Sequence, residues 1–94
     1  MFVSALRIEF HIPDAHSLKE KRAVIRPIID GLRNRFRVSV AEVAHQNLWQ
    51  RAVIGIAVVG ADVSSVELVL SNCERFVESF PEIAVLEVEQ SWAE

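Results

Sequence analysis

Cysteine occurs once in these 94 residues, tyrosine not at all, and glycine and proline three times each. A lone thiol leaves no internal disulfide and fits a reducing compartment. So few glycines and prolines leave no Gly-rich phosphate loop, no linker and no low-complexity segment. The longest uncharged apolar run, Ala52 to Ala61, is too short to span a bilayer. Met1 is followed by strand-like residues with no basic leader and no apolar signal core. The expectation is a cytoplasmic protein with no membrane partner. No paired carboxylates and no Ser-His-Asp set stand out. His11, His16 and His45 lack metal-ligand spacing, and Cys73 sits within an apolar stripe. No catalytic residue, cofactor or metal is therefore assigned.

What is present is apolar mass and an uneven charge. Hydrophobic residues make up 51% of the chain, enough for one domain spanning residues 1–94. A domain of this size buries roughly two-thirds of its unfolded surface. The net charge is −3, yet Asp14 to Arg37 holds seven of the ten basic residues against three acids.

The pattern of elements is regular. Phe2 to Ile12 alternates, with Phe2, Leu6, Ile8, Phe10 and Ile12 on one face and Arg7, Glu9 and His11 on the other, which predicts a half-buried strand. After a turn at Pro13 to His16, Ser17-Leu18-Lys19-Glu20 has capping-box form and opens a helix running to about Phe36. Its apolar stripe is Leu18, Ile25, Ile28, Ile29, Leu32 and Phe36. Val38 to Val43 is a second strand, 44–50 a polar connection, and Ala52 to Val59 a central third strand. A second helix is capped by Ser64 or Asp62, buries Val66, Val69, Leu70, Cys73, Phe76, Val77 and Phe80, and ends at Pro81. Ile83 to Glu89 is a fourth strand. The order βαββαβ predicts an α+β, ferredoxin-like fold, with a four-stranded antiparallel sheet in order 4-1-3-2 and both helices on one face. A proline inside a helix costs about 3 kcal/mol, but Pro27 falls opposite the apolar stripe, where it bends the helix without ending it.

On the same wheel Lys19, Arg22, Arg26, Arg33 and Arg37 lie within about 60° of one another. Glu67, Glu74 and Glu78 form an acidic stripe on the second helix. Right-handed crossovers turn the two stripes outward. The basic one should overhang the second strand's edge, as a surface for nucleic-acid or other phosphate contact, and the acidic one the fourth strand's edge. Asp30 is placed to pair with Arg26 or Arg33. The topology also opens the 13–17 turn and the 44–51 connection at one end of the sheet. His16, Ser17, His45, Trp49 and Arg51 then form a candidate anion pocket at the first helix's N-terminus, with Lys19, Gln46 and Gln50 nearby.

RNA-recognition modules of this element order read bases with aromatics on the first and third strands. The third strand here has none. Its open face instead shows Val3, Ala5, Val53, Gly55, Ala57 and Val59, which suggests a homo-oligomer packed through that face.

Four segments carry a family resemblance: His16-Ser17-Leu18-Lys19-Glu20-Lys21-Arg22, Leu32-Arg33-Asn34-Arg35-Phe36, Val40-Ala41-Glu42-Val43 and Leu48-Trp49-Gln50-Arg51-Ala52. With the strand pattern they make the sequence similar to the YlxP-like family of small bacterial proteins. That resemblance implies a ferredoxin-like fold. The family's genes often lie beside those of translation initiation and ribosome assembly factors, which implies a role near RNA or the ribosome. It supplies no catalytic residues. Three readings follow. The first is a non-enzymatic protein that meets RNA or the ribosome through the basic flank. The second is an anion-binding enzyme or ligand-binding domain at the first helix's N-terminus, by fold analogy with acylphosphatases, whose loop motif is absent. The third is a protein–protein scaffold acting through the sheet face.

Overall fold

In a computed structural model, which describes residues 1–93, six elements follow in the expected order. They are β1 (Phe2–His11), α1 (Leu18–Phe36), β2 (Ser39–Ala44), β3 (Arg51–Gly60), α2 (Val63–Glu78) and β4 (Ala84–Ala93). The strands make one antiparallel sheet in the order β2-β3-β1-β4, the expected arrangement read from the other edge. Leu6, Ile8 and Phe10 of β1 and Ala52, Ile54 and Ile56 of β3 are buried beneath the helices with Ile25, Ile28, Leu32, Val66, Leu70, Cys73 and Val77. Each fully buried Leu, Ile or Val contributes about 1.5–3 kcal/mol.

The helix starts are set by side chains. Ser17 Oγ accepts the Glu20 amide at 3.0 Å, while Glu20 reaches back to the His16 amide at 2.7 Å. At α2 the cap is Asp62, whose carboxylate accepts the Ser65 amide at 2.7 Å and the Ser65 hydroxyl at 3.0 Å. These bonds hold the Asp62 carboxyl below its ordinary range. Asp62 prevails over Ser64 because a full negative charge at a helix N-terminus also meets the helix dipole. Pro27 is exposed, and α1 continues through it. β4 runs past the expected Glu89 to Ala93 because β1 offers it backbone partners as far as Val3.

The helices meet where the chain has least bulk. Gly31 of α1 faces the ring of Phe76, and a β-carbon there would overlap it. Phe76 stands edge-on to Phe36 and Phe80, with ring centroids 5.7 and 5.2 Å away. The Arg35 guanidinium covers the same ring at 5.2 Å. Extra residues interrupt two ladders, Val43 in β2 and Leu86 in β4. Such bulges re-aim the chain, and the one at Val43 leads β2 into the 45–50 connection.

The open sheet face departs from the uniform apolar surface expected. Val53 is fully buried, Val3, Ala5, Gly55 and Ala57 are half-buried, and only Val59 of the expected residues is strongly exposed. On the β4 side the face is charged, with Glu87 opposite Glu9 and Glu89 opposite Arg7. The sequence alternation of β1 already carried that polarity. What it left out was β4, whose register brings more acid to the same face.

Candidate functional site

The basic flank of α1 forms one wall of a groove of about 370 Å³, lined by Arg22, Ile25, Arg26, Ile29, Asp30 and Arg33 of the helix and by Ala41 and Glu42 of β2. This is the strand edge over which the stripe was expected to hang. Arg33 is anchored there, donating to the Val40 carbonyl at 3.0 Å. Among the described residues the ion pairs are Lys21–Glu42, His45–Glu9 and Arg51–Glu9. Arg22, Arg26 and Arg33 therefore meet no carboxylate. Asp30 lines the groove but pairs with neither neighbouring arginine.

Lys19 is exposed one turn before Arg22. Arg37 ends the helix as a left-handed cap at φ 53°, so the wheel that aligns the others does not extend to it. On the opposite side Glu67 and Glu74 line a pocket with Gln90 of β4, and Gln90 donates to Glu67 at 3.0 Å. The two helix flanks thus carry opposite charge over opposite edges of the sheet.

Beneath the groove lies a lysine that the sequence reading passed over. Lys21 is 1% exposed. Its ammonium donates to the carbonyls of His45 and Leu48, both at 2.7 Å, and lies 2.9 Å from the Glu42 carboxylate. A buried charge is costly unless it is paired and hydrogen-bonded, and here one ammonium has three oxygen partners. The signal was available, since at about 100° per residue Lys21 falls inside the arc between Ile28 and Leu32, on the buried side of the helix.

The 45–50 connection is tied to the body at further points. Ile12 donates its amide to the Gln50 carbonyl at 2.8 Å, and the Gln50 side-chain amide reaches the carbonyls of Pro13 and Ala15, both at 3.2 Å. The turn and the connection are thus brought together as expected. The side chains of the proposed anion pocket do not converge with them. Ser17 Oγ is occupied by its cap, and His16 is exposed with its amide held by Glu20. Arg51 turns to the open sheet face, where it donates to Glu9 through Nε at 3.0 Å and also through a terminal nitrogen. His45, at a positive φ of 59°, places Nε2 3.5 Å from the same carboxylate. The Arg51 hydrogen bonds hold the Glu9 carboxyl below its ordinary range against the opposing effect of burial, helped by the charges of Arg51, His45 and Arg7. Strand alternation explains the separation, because Arg51 has the parity of Val53 and Gly55, which points away from the helices.

Trp49 is 51% exposed and Leu48 47%. The indole lines an open depression of about 380 Å³ with Asn47, Leu48, Gln50 and Arg51. Among the described residues no three His, Cys, Asp or Glu side chains are placed to hold a metal ion.

Residues 3–90 match the model of a family described as "Protein of unknown function (DUF503)". The chain belongs to that family. A similar protein is Uncharacterized protein YlxP of Bacillus subtilis (strain 168), 46% identical over 72 residues, or 77% of this chain and 78% of the relative. Two designed proteins share the fold. The de novo designed protein Foldit4 superposes with a TM-score of 0.62 at 14% identity, over 98% of this chain and 99% of its own. A de novo designed protein with ferredoxin fold, LFR1 1, gives 0.59 at 10% identity, over 100% and 87%. At such identities the likeness concerns the fold alone. Among the described residues of this DUF503 chain, no helix is long and apolar enough to cross a membrane.

Proposed function

We propose that this protein binds RNA, free or within a ribosomal particle, by seating the sugar-phosphate backbone in the groove between α1 and β2, and that it does so without catalysis. The observation that supports this reading is the set of three guanidiniums, Arg22, Arg26 and Arg33, around one groove with no carboxylate among the described residues paired to any of them. Arginine is the side chain best shaped for two-point contact with phosphate. Of the two acids that line the groove, Glu42 is engaged by Lys21, and Asp30 pairs with none of the three arginines. The acidic flank over β4 then repels the same ligand and orients its approach.

The test is the salt dependence of RNA binding. Three phosphate contacts on a single strand predict a slope of log K against log salt of about −2. The variant Arg22→Glu/Arg26→Glu/Arg33→Gln keeps a donor for the Val40 carbonyl and should flatten the slope while weakening binding. Equal affinity and equal slope in variant and wild type would sink the proposal.

A second reading is self-association through the apolar half of the open sheet face. It is favoured by a shallow depression of about 270 Å³ lined by Ala5, Ala41, Val43, Gly55 and Ala57, beside exposed Val59. A monomer at micromolar concentration by light scattering would rule it out.

A further inference from the structure

We infer that the 45–50 connection is a preorganised base-stacking element, in which Trp49 receives an unpaired base of the single strand whose phosphates occupy the arginine groove. This inference rests on the groove reading and adds the part of the ligand that the groove does not contact.

Three observations carry it. The first is that the connection is held rigidly from below while its apolar side chains face water. The Lys21 ammonium fixes the carbonyls of His45 and Leu48, the Leu48 amide closes back on the His45 carbonyl at 3.0 Å, and Gln50 is tied through both backbone and side chain. Burial of a lysine to order a surface loop makes sense if that loop must present a side chain in one place, because ordering it beforehand lowers the entropy cost of binding. The presented side chain is an indole that is half exposed.

The second observation is position. One ammonium touches both Glu42, which lines the groove, and the Leu48 carbonyl, so the end of the groove and the base of the loop meet at Lys21. Arg22, which follows Lys21 in the chain, lines the groove, so the base of the loop is anchored beside the Arg22 end of the groove.

The third is the chemistry of the alternatives. β3 lacks the aromatics with which related folds read bases. The other exposed indole, Trp92, lies on β4, in the strand that runs beneath the acidic flank of α2. Trp49 instead lies in the connection whose carbonyls are held by Lys21 of the basic helix. A stacked base must be unpaired to reach it, which makes the ligand single-stranded.

The experiment uses the full chain carrying Trp92→Phe, so that Trp49 is the sole indole, titrated with oligouridylate about ten nucleotides long. Binding should quench the indole emission. Trp49→Ala should weaken binding roughly 5- to 150-fold, the effect of losing one stacked base. Trp49→Phe should recover most of it, and the salt slope should stay unchanged in both. If Trp49→Ala binds as tightly as its parent, or emission is unaltered at saturation, the stacking element is refuted while an intact salt slope keeps the groove. Loss of Trp49 sensitivity with a slope that is also insensitive to the arginine substitutions refutes both. Quenching that follows protein concentration and not RNA would overturn the inference in favour of contact between copies of the chain.

Discussion

Replacing Lys21 with methionine isolates the one cation buried among the described residues. Methionine refills most of the volume of the lysine stem and removes only the charge and its donors. Hydrogen bonds from a charged donor contribute about 1.5–3 kcal/mol each, but they cannot be summed here, because taking the ammonium out of water costs several kcal/mol. What decides the outcome is what remains. The His45 and Leu48 carbonyls belong to an exposed loop and turn to water. The Glu42 carboxylate, with a side chain 21% exposed, is left charged, partly buried and without its partner. Removing one member of a buried pair costs about 3–5 kcal/mol, and the residual access of Glu42 to solvent puts this case at the lower end. At about 4–8 °C per kcal/mol for a domain of this size, a loss of about 3 kcal/mol lowers Tm by roughly 12–24 °C. Urea unfolding at neutral pH, followed by far-UV circular dichroism, measures it. The double variant Lys21→Met/Glu42→Gln removes the stranded charge and should regain at least about 1 kcal/mol, since the two sites are directly coupled. A single variant within about 0.5 kcal/mol of wild type, or a double variant no better than the single, would refute this account of the ammonium.

Other features give further expectations. Gly31→Ala adds helix propensity but drives a methyl into the Phe76 ring, which Phe36 and Phe80 hold edge-on, so a net loss of about 1–3 kcal/mol is expected in thermal unfolding. The Glu87 carboxyl is raised above its ordinary range, first by its hydrogen bond with Glu89 and then by the charges of Glu89 and Glu9. A raised folded value means that ionisation disfavours the fold, with the favourable contribution present at low pH and lost as pH rises through that value. Glu87→Gln should therefore raise Tm at neutral pH, and the gain should shrink on acidification through the carboxylate range; a gain that is constant with pH would contradict the coupling. Burial pushes the Cys73 thiol up to about 11. Its labelling by a thiol reagent at pH 8 should follow unfolding, so rapid modification of the native protein would show the site to be open.

Period and capping made much of the fold legible in the chain. The alternation of β1, the stripe of α1 and the Ser17-to-Glu20 box act over a few residues, and local sterics and hydrogen bonding are enough to place them. The basic stripe needed one more rule, the handedness of crossovers, and the groove wall lies where that rule put it. The identity of the partner groups was not local. Asp30 sits at helical spacing from Arg26 and Arg33 yet pairs with neither, because spacing permits a contact without requiring the rotamers that make it. Lys21 looked like one more surface cation in a basic segment, and only the arrival of the 45–48 carbonyls and Glu42 from β2 makes its burial favourable. Sheet topology brings the connection that carries Arg51 and His45 beside the helix N-terminus that was expected to use them. Strand parity and a left-handed His45 turn them instead toward Glu9 on the far face of the sheet. The sequence by itself determined the elements, their order and which helix flank is basic. The tertiary structure alone decided which charges are neutralised and which remain available, because that depends on long-range register and burial, which no short segment encodes.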